Sequence, residues 1–431
     1  MTNRLSLKTK LSLLLYSVIG YLLLPVILLY LARRMLKSKD YRQGFWQRLG
    51  FIRGNFNGCI HIHCASLGEV NAAKNLIEQL INTYPKHTIV ITNSTPTGAA
   101  QVEHLFGSKV TQLMAPIDVW GASRRFSKKL SPSLSVFTEV EIWPNWLLSL
   151  NKQNTTLVMV NARLSEKSFK RYQSLAALFN PVIGCFSWIG CQSDQIASRY
   201  SCLSANKVSV TGNLKFDLQI NPDIAAKVSQ LTQLVTATRP IWVGASVHPG
   251  EYEQVINAHL KIVKQKPDAL LVLVPRHPEQ FNKVAEYLTG QNIQFVSRTK
   301  QTEISSTHSV WLVDTLGELM SFYALAEIAF VGGSLVDRGG HNPLEPAALA
   351  KPVVMGPYQV NCLDICQALQ DKRALATIDN ANELAEVILR LWSDPNLYQQ
   401  AAVAASEVVM INQGATLKTL SAIKKIQPAL F

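Results

Sequence analysis

The sequence, 431 residues long, lacks several patterns that identify common classes of protein. It has no Asp-x-Asp motif of the kind that can hold a divalent cation, and no Cys and His spacing typical of a zinc site. It has neither an RNA-recognition signature nor a basic helical repeat, so its formal net charge of +13 does not in itself indicate nucleic acid. Its seven cysteines form no disulfide-like framework, which favours a reducing compartment. These absences argue against a zinc site and against a nucleic-acid partner.

One local pattern is nevertheless typical of metal ligands. His61, His63 and Cys64 lie close together in the sequence, as metal ligands often do. Alternation along a predicted strand places the two histidines on one face and the cysteine on the other. We interpret these residues as part of the core.

Charged residues are also absent from Leu11 to Leu31, a run of roughly 20 residues, which is the length that spans a bilayer. The run ends in a basic stretch that begins with Arg33 and Arg34, whereas a signal peptide would end in a small-residue cleavage site. We interpret residues 1–36 as an uncleaved membrane anchor. Because the basic residues are more numerous after the run, the main body is predicted to be cytoplasmic. Pro25 leaves open whether the anchor crosses the membrane or lies in its plane.

The 42 basic and 29 acidic residues point to an acidic partner other than nucleic acid. An anionic membrane surface or a phosphorylated lipid fits the anchor best. From Lys37 to Leu49 the sequence mixes cations with Tyr41, Phe45 and Trp46, as a segment in the headgroup region does. A solvated, partly packed connector would have the same composition, and both interpretations stay open.

After the anchor, apolar runs of strand length alternate with helical stretches, which is typical of a parallel α/β sheet. The predicted strands cover residues 60–63, 88–91, 135–138, 156–160, 190–192, 208–211, 241–243, 270–274, 310–313, 328–331 and 353–355. The polar, helical stretch 217–239 divides them into two series and predicts an interdomain connector.

We therefore predict an α/β fold with two Rossmann-like domains that face each other across a cleft. The N-terminal domain covers residues 37–220 and the C-terminal domain residues 221–431, whose last helix can pack back on the first domain. Ligands of such sheets bind at the carboxyl ends of the strands, so the residues that follow each strand are the candidates for a site.

Carboxylates and a lysine follow three strands of the first series. Glu69 comes three residues after Ser66, which is the spacing of a capping box, so a purely structural role competes with a chemical one. Glu139 and Glu141 are predicted to share one face of an extended segment, an arrangement that can bind a divalent ion. Lys215 lies near the domain junction, where it suits developing phosphate charge or is simply a surface residue.

The stretch from Asp314 to Pro357 in the second series predicts a nucleotide-sugar site. After a buried strand come Gly332 and Gly333, a polar turn, and an Ala-rich helix that starts near Leu344. Such a turn leaves backbone N–H groups unpaired, and they can hold a phosphate. Glu345, in the first helical turn, can accept hydrogen bonds from two ribose hydroxyls. An ordinary strand–helix turn with a capping glutamate is the alternative.

Seven motifs occur in an order that resembles one family. They are HCASLGEV, TEVEIWPNW, NARLSEKSFKRY, GNLKFD, LVPRHPEQF, DTLGELM and RGGHNPLEPA. Behind a membrane anchor, this ordered set resembles the Kdo (3-deoxy-D-manno-octulosonic acid) transferases of lipopolysaccharide synthesis over almost the whole chain. The resemblance implies a GT-B fold on the cytoplasmic face of the inner membrane. It also implies a CMP-Kdo donor, a lipid A precursor (lipid IVA) as acceptor, and no metal or other cofactor.

Roles follow from the resemblance where a motif matches. Glu69 corresponds to the general base that deprotonates the acceptor hydroxyl in an inverting displacement, and Glu139 and Lys215 to groups that stabilise the transition state. The residues that match the CMP-binding stretches are Pro275, Arg276, Leu316, Gly317, Glu318, Asn342, Pro343, Leu344 and Glu345. The segments from His248 to Glu251 and from Tyr358 to Asp364 depart from the family pattern, so no role is carried over to them.

Two other functions are compatible with the same scaffold. One is a nucleotide-sugar epimerase or hydrolase, which would not need a hydrophobic anchor. The other is a membrane-anchored protein that binds a nucleotide sugar without catalysis, although the presence of Glu69, Glu139 and Lys215 together argues against it.

Overall fold

The computed structural model describes residues 6–236, 238–300 and 302–428. These residues form two compact units. The first unit holds the described residues up to Asp217 together with those from Gln413 onward, and the second unit holds Leu218–Asn412. The predicted boundary after residue 220 lies close to this division.

The first unit is built around a parallel sheet of seven strands in the order β3-β2-β1-β4-β5-β6-β7. The strands are β1 Ile60–His63, β2 Ile89–Asn93, β3 Thr111–Met114, β4 Leu134–Thr138, β5 Thr156–Ala162, β6 Trp188–Cys191 and β7 Val208–Val210. β1, β2 and β4 are buried along their whole length. This agrees with the continuous apolar runs expected of parallel strands that are covered on both faces.

Helices connect these strands. They are α1 Leu7–Lys37, α2 Phe45–Arg48, α3 Leu67–Thr83, α4 Pro96–Phe106, α5 Trp120–Leu130, α6 Pro144–Asn151, α7 Glu166–Ser174, α8 Ala176–Ile183 and α9 Asp194–Cys202. Short 3-10 helices cover Lys39–Arg42, Gly107–Lys109 and Leu214–Phe216. Trp146 and Phe137 are fully buried and form the aromatic centre of one side of this core.

α1 runs unbroken through Pro25. Within the described part of the chain it is the one helix long and apolar enough to cross a membrane, judged by length and composition. The first half of α1 is hydrogen-bonded to the first unit: Tyr16 donates to Asp118 at 2.9 Å, and Ser17 to Asn145 at 2.9 Å. Side-chain hydrogen bonds therefore hold α1 against the rest of the first unit, in addition to the chain connection at its C-terminal end.

The second unit repeats the architecture with a parallel sheet in the order β10-β11-β9-β8-β12-β13-β14. Its strands are β8 Ile241–Val247, β9 Leu270–Pro275, β10 Phe295–Ser297, β11 Val310–Leu312, β12 Ile328–Val331, β13 Val353–Met355 and β14 Leu375–Thr377. Its helices are α10 Ile224–Gln233, α11 Tyr252–Ile262, α12 Phe281–Gly290, α13 Leu319–Leu325, α14 Leu344–Ala348, α15 Leu363–Asp371, α16 Ala381–Ser393 and α17 Pro395–Asn412, with 3-10 turns at Pro278–Gln280 and Arg298–Lys300.

After the second unit the chain returns to the first as α18, Ala415–Ile426. Ala415, Leu420 and Ile423 of α18 are buried in the same apolar cluster as β1 and α3. Asp217 holds the start of α18 by accepting hydrogen bonds from the N–H groups of Gly414 and Thr416. The first unit is thus closed by the C-terminal helix.

The predicted α/β class with two Rossmann-like sheets is confirmed, and one detail of the prediction is wrong. The stretch 217–239, predicted as an interdomain connector, contains α10, and Leu231 of this helix is buried in the core of the second unit. The Ala-rich helix predicted to open near Leu344 starts there as α14 and is five residues long, with Ala350 in a left-handed conformation just beyond its end.

Candidate functional site

The strand order of the first sheet reverses between β1 and β4, which are hydrogen-bonded neighbours. A chain that winds outward in both directions from this point leaves a crevice at the carboxyl ends of the two central strands, and ligands bind there. Glu69 lies just beyond β1, in the first turn of α3, and Glu139 follows β4 directly. Two of the three predicted catalytic residues therefore lie at the switch point of the first sheet.

Glu69 is held by three hydrogen bonds. Its Oε2 accepts from the Ala65 N–H at 2.9 Å and from the Thr138 hydroxyl at 2.6 Å, and its Oε1 accepts from the Ser66 hydroxyl at 2.9 Å. The Glu69 N–H in turn donates to the Ser66 hydroxyl at 3.4 Å, so Ser66 caps α3. The return bond of the Glu69 side chain goes to the Ala65 N–H, one residue before the position that a standard capping box uses. The contact with Thr138 on β4 exceeds what a cap requires, and it fixes the carboxylate over the switch point.

Glu139 has a left-handed backbone, with φ at 54°. Such a conformation is costly for a residue other than glycine and is concentrated at functional sites. Its side chain is 3.8 Å from the Arg163 guanidinium. Burial raises the pKa of the Glu139 carboxyl, the nearby Arg163 and Lys215 lower it, and Glu69 raises it. A carboxyl whose pKa is raised by burial beside other charges is a candidate for chemistry.

The left-handed turn also overturns the expectation that Glu139 and Glu141 share one face of an extended segment. The chain bends there, with the Ile142 N–H donating to the Val140 carbonyl at 2.8 Å. Glu141 turns to different partners: His63 at 3.0 Å and the Trp143 indole N–H at 2.7 Å. These contacts lower the pKa of Glu141 despite its burial. The two carboxylates are not a pair for a divalent ion.

The His61–His63 pattern is structural, as interpreted above. Both side chains are fully buried, and both contact the Thr92 hydroxyl, at 2.9 Å and 2.8 Å respectively. His61 also contacts Ser135 at 3.0 Å. Across residues 6–236, 238–300 and 302–428, no group of three or more His, Cys, Asp and Glu side chains is arranged to hold a metal ion.

Lys215 lies in the 3-10 turn after β7, and two asparagine side chains hold the backbone of this turn. The Asn213 side chain accepts from the Lys215 N–H at 3.0 Å, and the Asn161 side chain accepts from the Leu214 N–H at 3.0 Å. The charge of Lys215 is close enough to lower the pKa of Glu139. The structure therefore brings Glu69, Glu139 and Lys215 into one electrostatic neighbourhood.

The strand order of the second sheet reverses between β8 and β12. Here the prediction of unpaired N–H groups after β12 is wrong. The N–H groups of Gly333, Ser334 and Leu335 donate to the Glu251 carboxylate at 2.7, 3.0 and 2.9 Å. The His248 N–H adds a fourth bond at 3.1 Å. Burial raises the pKa of Glu251, and these backbone N–H groups oppose that effect.

No role for Glu251 was predicted from the sequence, because its segment departs from the family pattern. Its fully buried side chain takes the place that an anion would have taken on the glycine-rich turn. Gly332 is needed beside it, since a Cβ there would lie 2.6 Å from the Ser246 carbonyl oxygen and 2.8 Å from Glu251 Oε2. The remaining signal in the sequence is a glutamate three residues after His248 at a strand end, which is a capping-type spacing.

The predicted nucleotide residues lie at the carboxyl ends of neighbouring strands of the second sheet. Pro275 ends β9, and the Arg276 N–H donates to the Val247 carbonyl at 3.0 Å. Pro343 precedes α14 and Leu344 starts it, and the Leu344 N–H donates to the Asn342 side chain at 3.2 Å.

Glu345 follows in α14. Burial raises the pKa of its carboxyl, while a hydrogen bond from Asn342 and the charge of Arg276 lower it. Arg276, Asn342 and Glu345 thus lie close together.

A third stretch follows β11. Leu316 is 69% exposed, and Gly317 has φ at 82°, which favours glycine. Glu318 accepts from the Thr315 hydroxyl and forms an ion pair with Arg298 at 3.0 Å. Among the described residues, no hydrogen bond joins this turn to Arg276 or Asn342, so it flanks them as a separate loop.

A histidine cluster at the second switch point was also missed. His248 follows β8, His277 follows β9 and His341 follows β12. The Nε2 atoms of His248 and His341 are 2.8 Å apart, and the two rings are stacked with an interplanar angle of 4°. The His277 ring meets His248 edge-on at 5.4 Å between centroids.

A groove in the first unit lies beside the end of α1 and has a volume of about 1100 Å³. Its lining combines cations and aromatic rings: Arg42, Gly44, Phe45, Trp46, Gln47, Gly50, Phe51, Ile52, Arg53, Arg125, Lys128 and Lys129. The Arg125 guanidinium stacks over the Phe51 ring at 4.6 Å. No acidic side chain is among those lining residues, so the groove suits an anionic ligand at an apolar boundary.

The chain is similar to known proteins in both sequence and fold. A family model described as 3-Deoxy-D-manno-octulosonic-acid transferase (kdotransferase) matches residues 43–218. The chain is 37% identical over 408 residues to the 3-deoxy-D-manno-octulosonic acid transferase of Haemophilus influenzae, covering 93% of this chain and 95% of the relative. It is 31% identical over 374 residues to the enzyme of the same name from Bordetella pertussis, covering 85% and 86% respectively.

Among solved structures, the chain is similar to the UDP-GlcNAc 2-epimerase of Neisseria meningitidis, with a TM-score of 0.57. The match covers 85% of this chain and 100% of the other at 12% identity. At that identity the likeness shows the fold alone.

Proposed function

Because the chain belongs to the family of 3-deoxy-D-manno-octulosonic acid transferases, which are glycosyltransferases, we propose that it moves Kdo from CMP-Kdo to a lipid A precursor. The observation that carries this proposal is the position of Glu69 at the first switch point, where three donors orient its carboxylate. Incubation of the full chain with CMP-Kdo and the precursor, followed by mass measurement of the lipid, tests it.

Glu69 acts as the general base. One lone-pair direction of Oε1 is used by Ser66, and both bonds to Oε2 come from groups on β1–α3 and β4, so the carboxylate cannot rotate freely. A fixed carboxylate with an available oxygen can take the proton from an acceptor hydroxyl as that hydroxyl attacks the anomeric carbon. Attack from the face opposite the nucleotide inverts the configuration at that carbon.

Glu139 and Lys215 stabilise the charges that develop during transfer. The anomeric carbon becomes electron-poor in a sugar transfer, and a carboxylate nearby favours that charge. The leaving phosphate becomes more negative, and a lysine supplies a positive point charge for it. The left-handed backbone of Glu139 keeps its side chain directed differently from that of Glu141.

The nucleotide is bound by the second unit. Arg276 supplies a cation for the phosphate, and the Asn342–Glu345 turn supplies a carboxylate for the ribose hydroxyls. Pro275, Pro343 and Leu344 shape the backbone around these groups, and Leu316, Gly317 and Glu318 form the flanking loop. We propose that these protein groups suffice for the reaction without a metal ion.

The protein acts at an anionic membrane surface, which we propose to be the cytoplasmic face of the inner membrane. The groove with Arg53, Arg125, Lys128 and Lys129 supports this, because cations beside exposed Trp46 and Phe51 suit the headgroup region. Each such cation near an anionic surface contributes about 1 kcal/mol to binding.

The hydrogen bonds of Tyr16 and Ser17 favour an anchor that does not cross the whole membrane. They pack the first half of α1 against the first unit. The Gly121 N–H also donates to the Tyr21 hydroxyl at 2.9 Å. The apolar residues after Tyr21 extend about 15 Å as a helix, half the roughly 30 Å of a bilayer core. We therefore propose that α1 enters one leaflet and does not cross both.

A further inference from the structure

The stacked pair formed by His248 and His341 lies at the carboxyl ends of β8 and β12, the two strands between which the order of the second sheet reverses. A distance of 2.8 Å between the two Nε2 atoms is a hydrogen bond, so one ring donates and the other accepts. In the neutral pair the two rings therefore have opposite tautomers. Neither Nδ1 atom has a hydrogen-bond partner among the described side chains.

This arrangement can accept one more proton without losing its internal bond. The ring that donates through Nε2–H has an unprotonated Nδ1, and a proton added there makes it an imidazolium. The imidazolium donates more strongly through Nε2–H to the other ring. The pair can therefore switch from neutral to singly charged while its geometry is unchanged.

Positive groups surround the pair. Burial lowers the pKa of His341 to about 4, and Arg276, His248 and His277 add to the effect. Burial also lowers the pKa of His248, with His277, Arg338 and Arg276 contributing.

Two carboxylates lie on the neighbouring elements, and both are engaged. Glu251, at the start of α11, uses its oxygens to accept four backbone N–H bonds. Glu345, on α14, is bonded to Asn342 and lies near Arg276. Both carboxylates are therefore already occupied, and neither is free to balance a proton added to the histidine pair.

We propose that His248 and His341 form a proton-coupled binding site for the phosphate group of the donor nucleotide, in which the pair takes up one proton from solvent as the phosphate binds. The phosphate supplies the missing negative charge and stabilises the imidazolium, beside Arg276. The same proton is available to the phosphate oxygen that leaves the sugar, where it would form a P–O–H bond as the imidazolium returns to a neutral ring. This inference deepens the proposed function and rests on it.

The test is the affinity of the full chain for CMP, measured by calorimetry at pH 7 and pH 8. Both values lie above the second pKa of a phosphate monoester, which is about 6. The wild-type Kd should rise up to about tenfold between them, since one proton is bound with the ligand. Binding heats in two buffers of different ionisation enthalpy should show net proton uptake at pH 7.

His248→Gln and His341→Gln should each reduce the change in Kd to about twofold or less and abolish most of the proton uptake. His308→Gln is the matched control, because His308 lies in the same unit and its ring, among the described residues, bonds within its own turn to Ser305. The His308→Gln protein should show the same change in the Kd for CMP between pH 7 and pH 8 as the wild type. Cytidine, which lacks the phosphate, should bind with no dependence on pH over this range.

Wild-type binding of CMP with a constant Kd and no proton uptake would overturn the inference and leave the donor proposal standing. Because this measurement uses the wild-type protein, it tests the inference even if a substitution prevents folding. The inference would also be overturned if the variants showed the full wild-type change in the Kd for CMP between pH 7 and pH 8. The same holds if the Kd for cytidine changed by that amount. Failure of the wild type to bind CMP at both pH values would overturn the inference and the proposed donor together.

Discussion

Thr138 and Glu69 are joined by a hydrogen bond of 2.6 Å between the Thr138 hydroxyl and Glu69 Oε2. The bond connects the end of β4 to the first turn of α3, so it ties together the two elements that flank the switch point of the first sheet. The Thr138 hydroxyl is also 2.9 Å from the His63 carbonyl, but its single hydrogen is directed to the shorter, charged acceptor. This contact distinguishes Glu69 from an ordinary capping glutamate.

Replacing Glu69 tests its role as the base. Glu69→Gln keeps the size of the side chain and an oxygen for the cap but removes the basic carboxylate. We expect Kdo transfer to fall by about 10²- to 10⁴-fold, the usual contribution of a general base, while CMP binding in the second unit is retained. Initial rates of transfer and CMP calorimetry measure the two quantities.

Glu78→Gln is the matched control, because Glu78 lies on the same helix and its one ion pair among the described residues is with Lys74, at 3.9 Å on the surface. It should transfer Kdo at the wild-type rate. A folded Glu69→Gln protein with normal transfer would refute the assignment of Glu69 as the base.

Glu251 should be critical for the stability of the second unit. Glu251→Gln places an amide NH₂ where the carboxylate accepts bonds from Gly333, Ser334 and Leu335. Buried N–H donors without acceptors cost about 1–3 kcal/mol each, so the free energy of unfolding should fall by about 3 kcal/mol or more. Urea denaturation followed by circular dichroism measures this.

The exposed Glu286 on α12 offers the comparison for Glu251. Glu286→Gln should change the free energy of unfolding by less than about 0.5 kcal/mol. If Glu251→Gln is as stable as Glu286→Gln, the carboxylate does not organise the turn after β12.

The stability of the second unit should depend on pH through His259. This fully buried side chain accepts from the Trp242 indole N–H at 3.2 Å and contacts the Ser309 carbonyl at 2.8 Å, so its neutral tautomer is fixed. Burial lowers the pKa of His259 from 6.5 to about 4. The unfolded chain therefore binds a proton at a higher pH than the folded chain does. The stabilisation is complete above pH 6.5 and is lost as the pH falls towards 4.

Between pH 7 and pH 5 this residue should lower the free energy of unfolding by about 2 kcal/mol. Chemical denaturation at the two pH values checks the prediction. His259→Gln should show a correspondingly smaller dependence on pH, whereas His308→Gln should keep that of the wild type. An unchanged dependence in His259→Gln would show that His259 does not titrate in this way.

Cations in the groove beside α1 should lower the apparent KM of the enzyme for an acceptor held in anionic vesicles. At about 1 kcal/mol for each cation, Lys128→Gln combined with Lys129→Gln should raise the apparent KM for an acceptor held in anionic vesicles by about thirtyfold. The kcat should stay constant, because neither lysine belongs to the catalytic set. Initial rates with vesicles of defined anionic lipid content provide the measurement.

Lys261→Gln combined with Lys264→Gln removes the same charge from an exposed part of the second unit and should leave KM unchanged. Equal effects of the two double substitutions would mean that only net charge matters and that the groove has no special role.

The central strands could be predicted from the sequence because they are continuous apolar runs. β1 has the predicted bounds Ile60–His63, and β12 has the predicted bounds Ile328–Val331. The edge strands β3, β10 and β14 were missed, since they are short and only partly buried and so lack such a run.

The candidate site was predictable only in part. Glu69 and Glu139 follow the two strands at the switch point, so their positions could be inferred from strand ends alone. The turn after β12 could not, because its N–H groups are paired with Glu251, about eighty residues earlier in the chain. The His248–His341 pair likewise depends on the contact between β8 and β12, which local sequence does not encode.

The most direct test of the whole account is the mass of the lipid after incubation of the full chain with CMP-Kdo and a lipid A precursor, with and without a chelator. The account predicts a precursor that gains the mass of one or more Kdo residues, with equal yield in the presence of the chelator. CMP-Kdo consumed while the lipid keeps its original mass would contradict it.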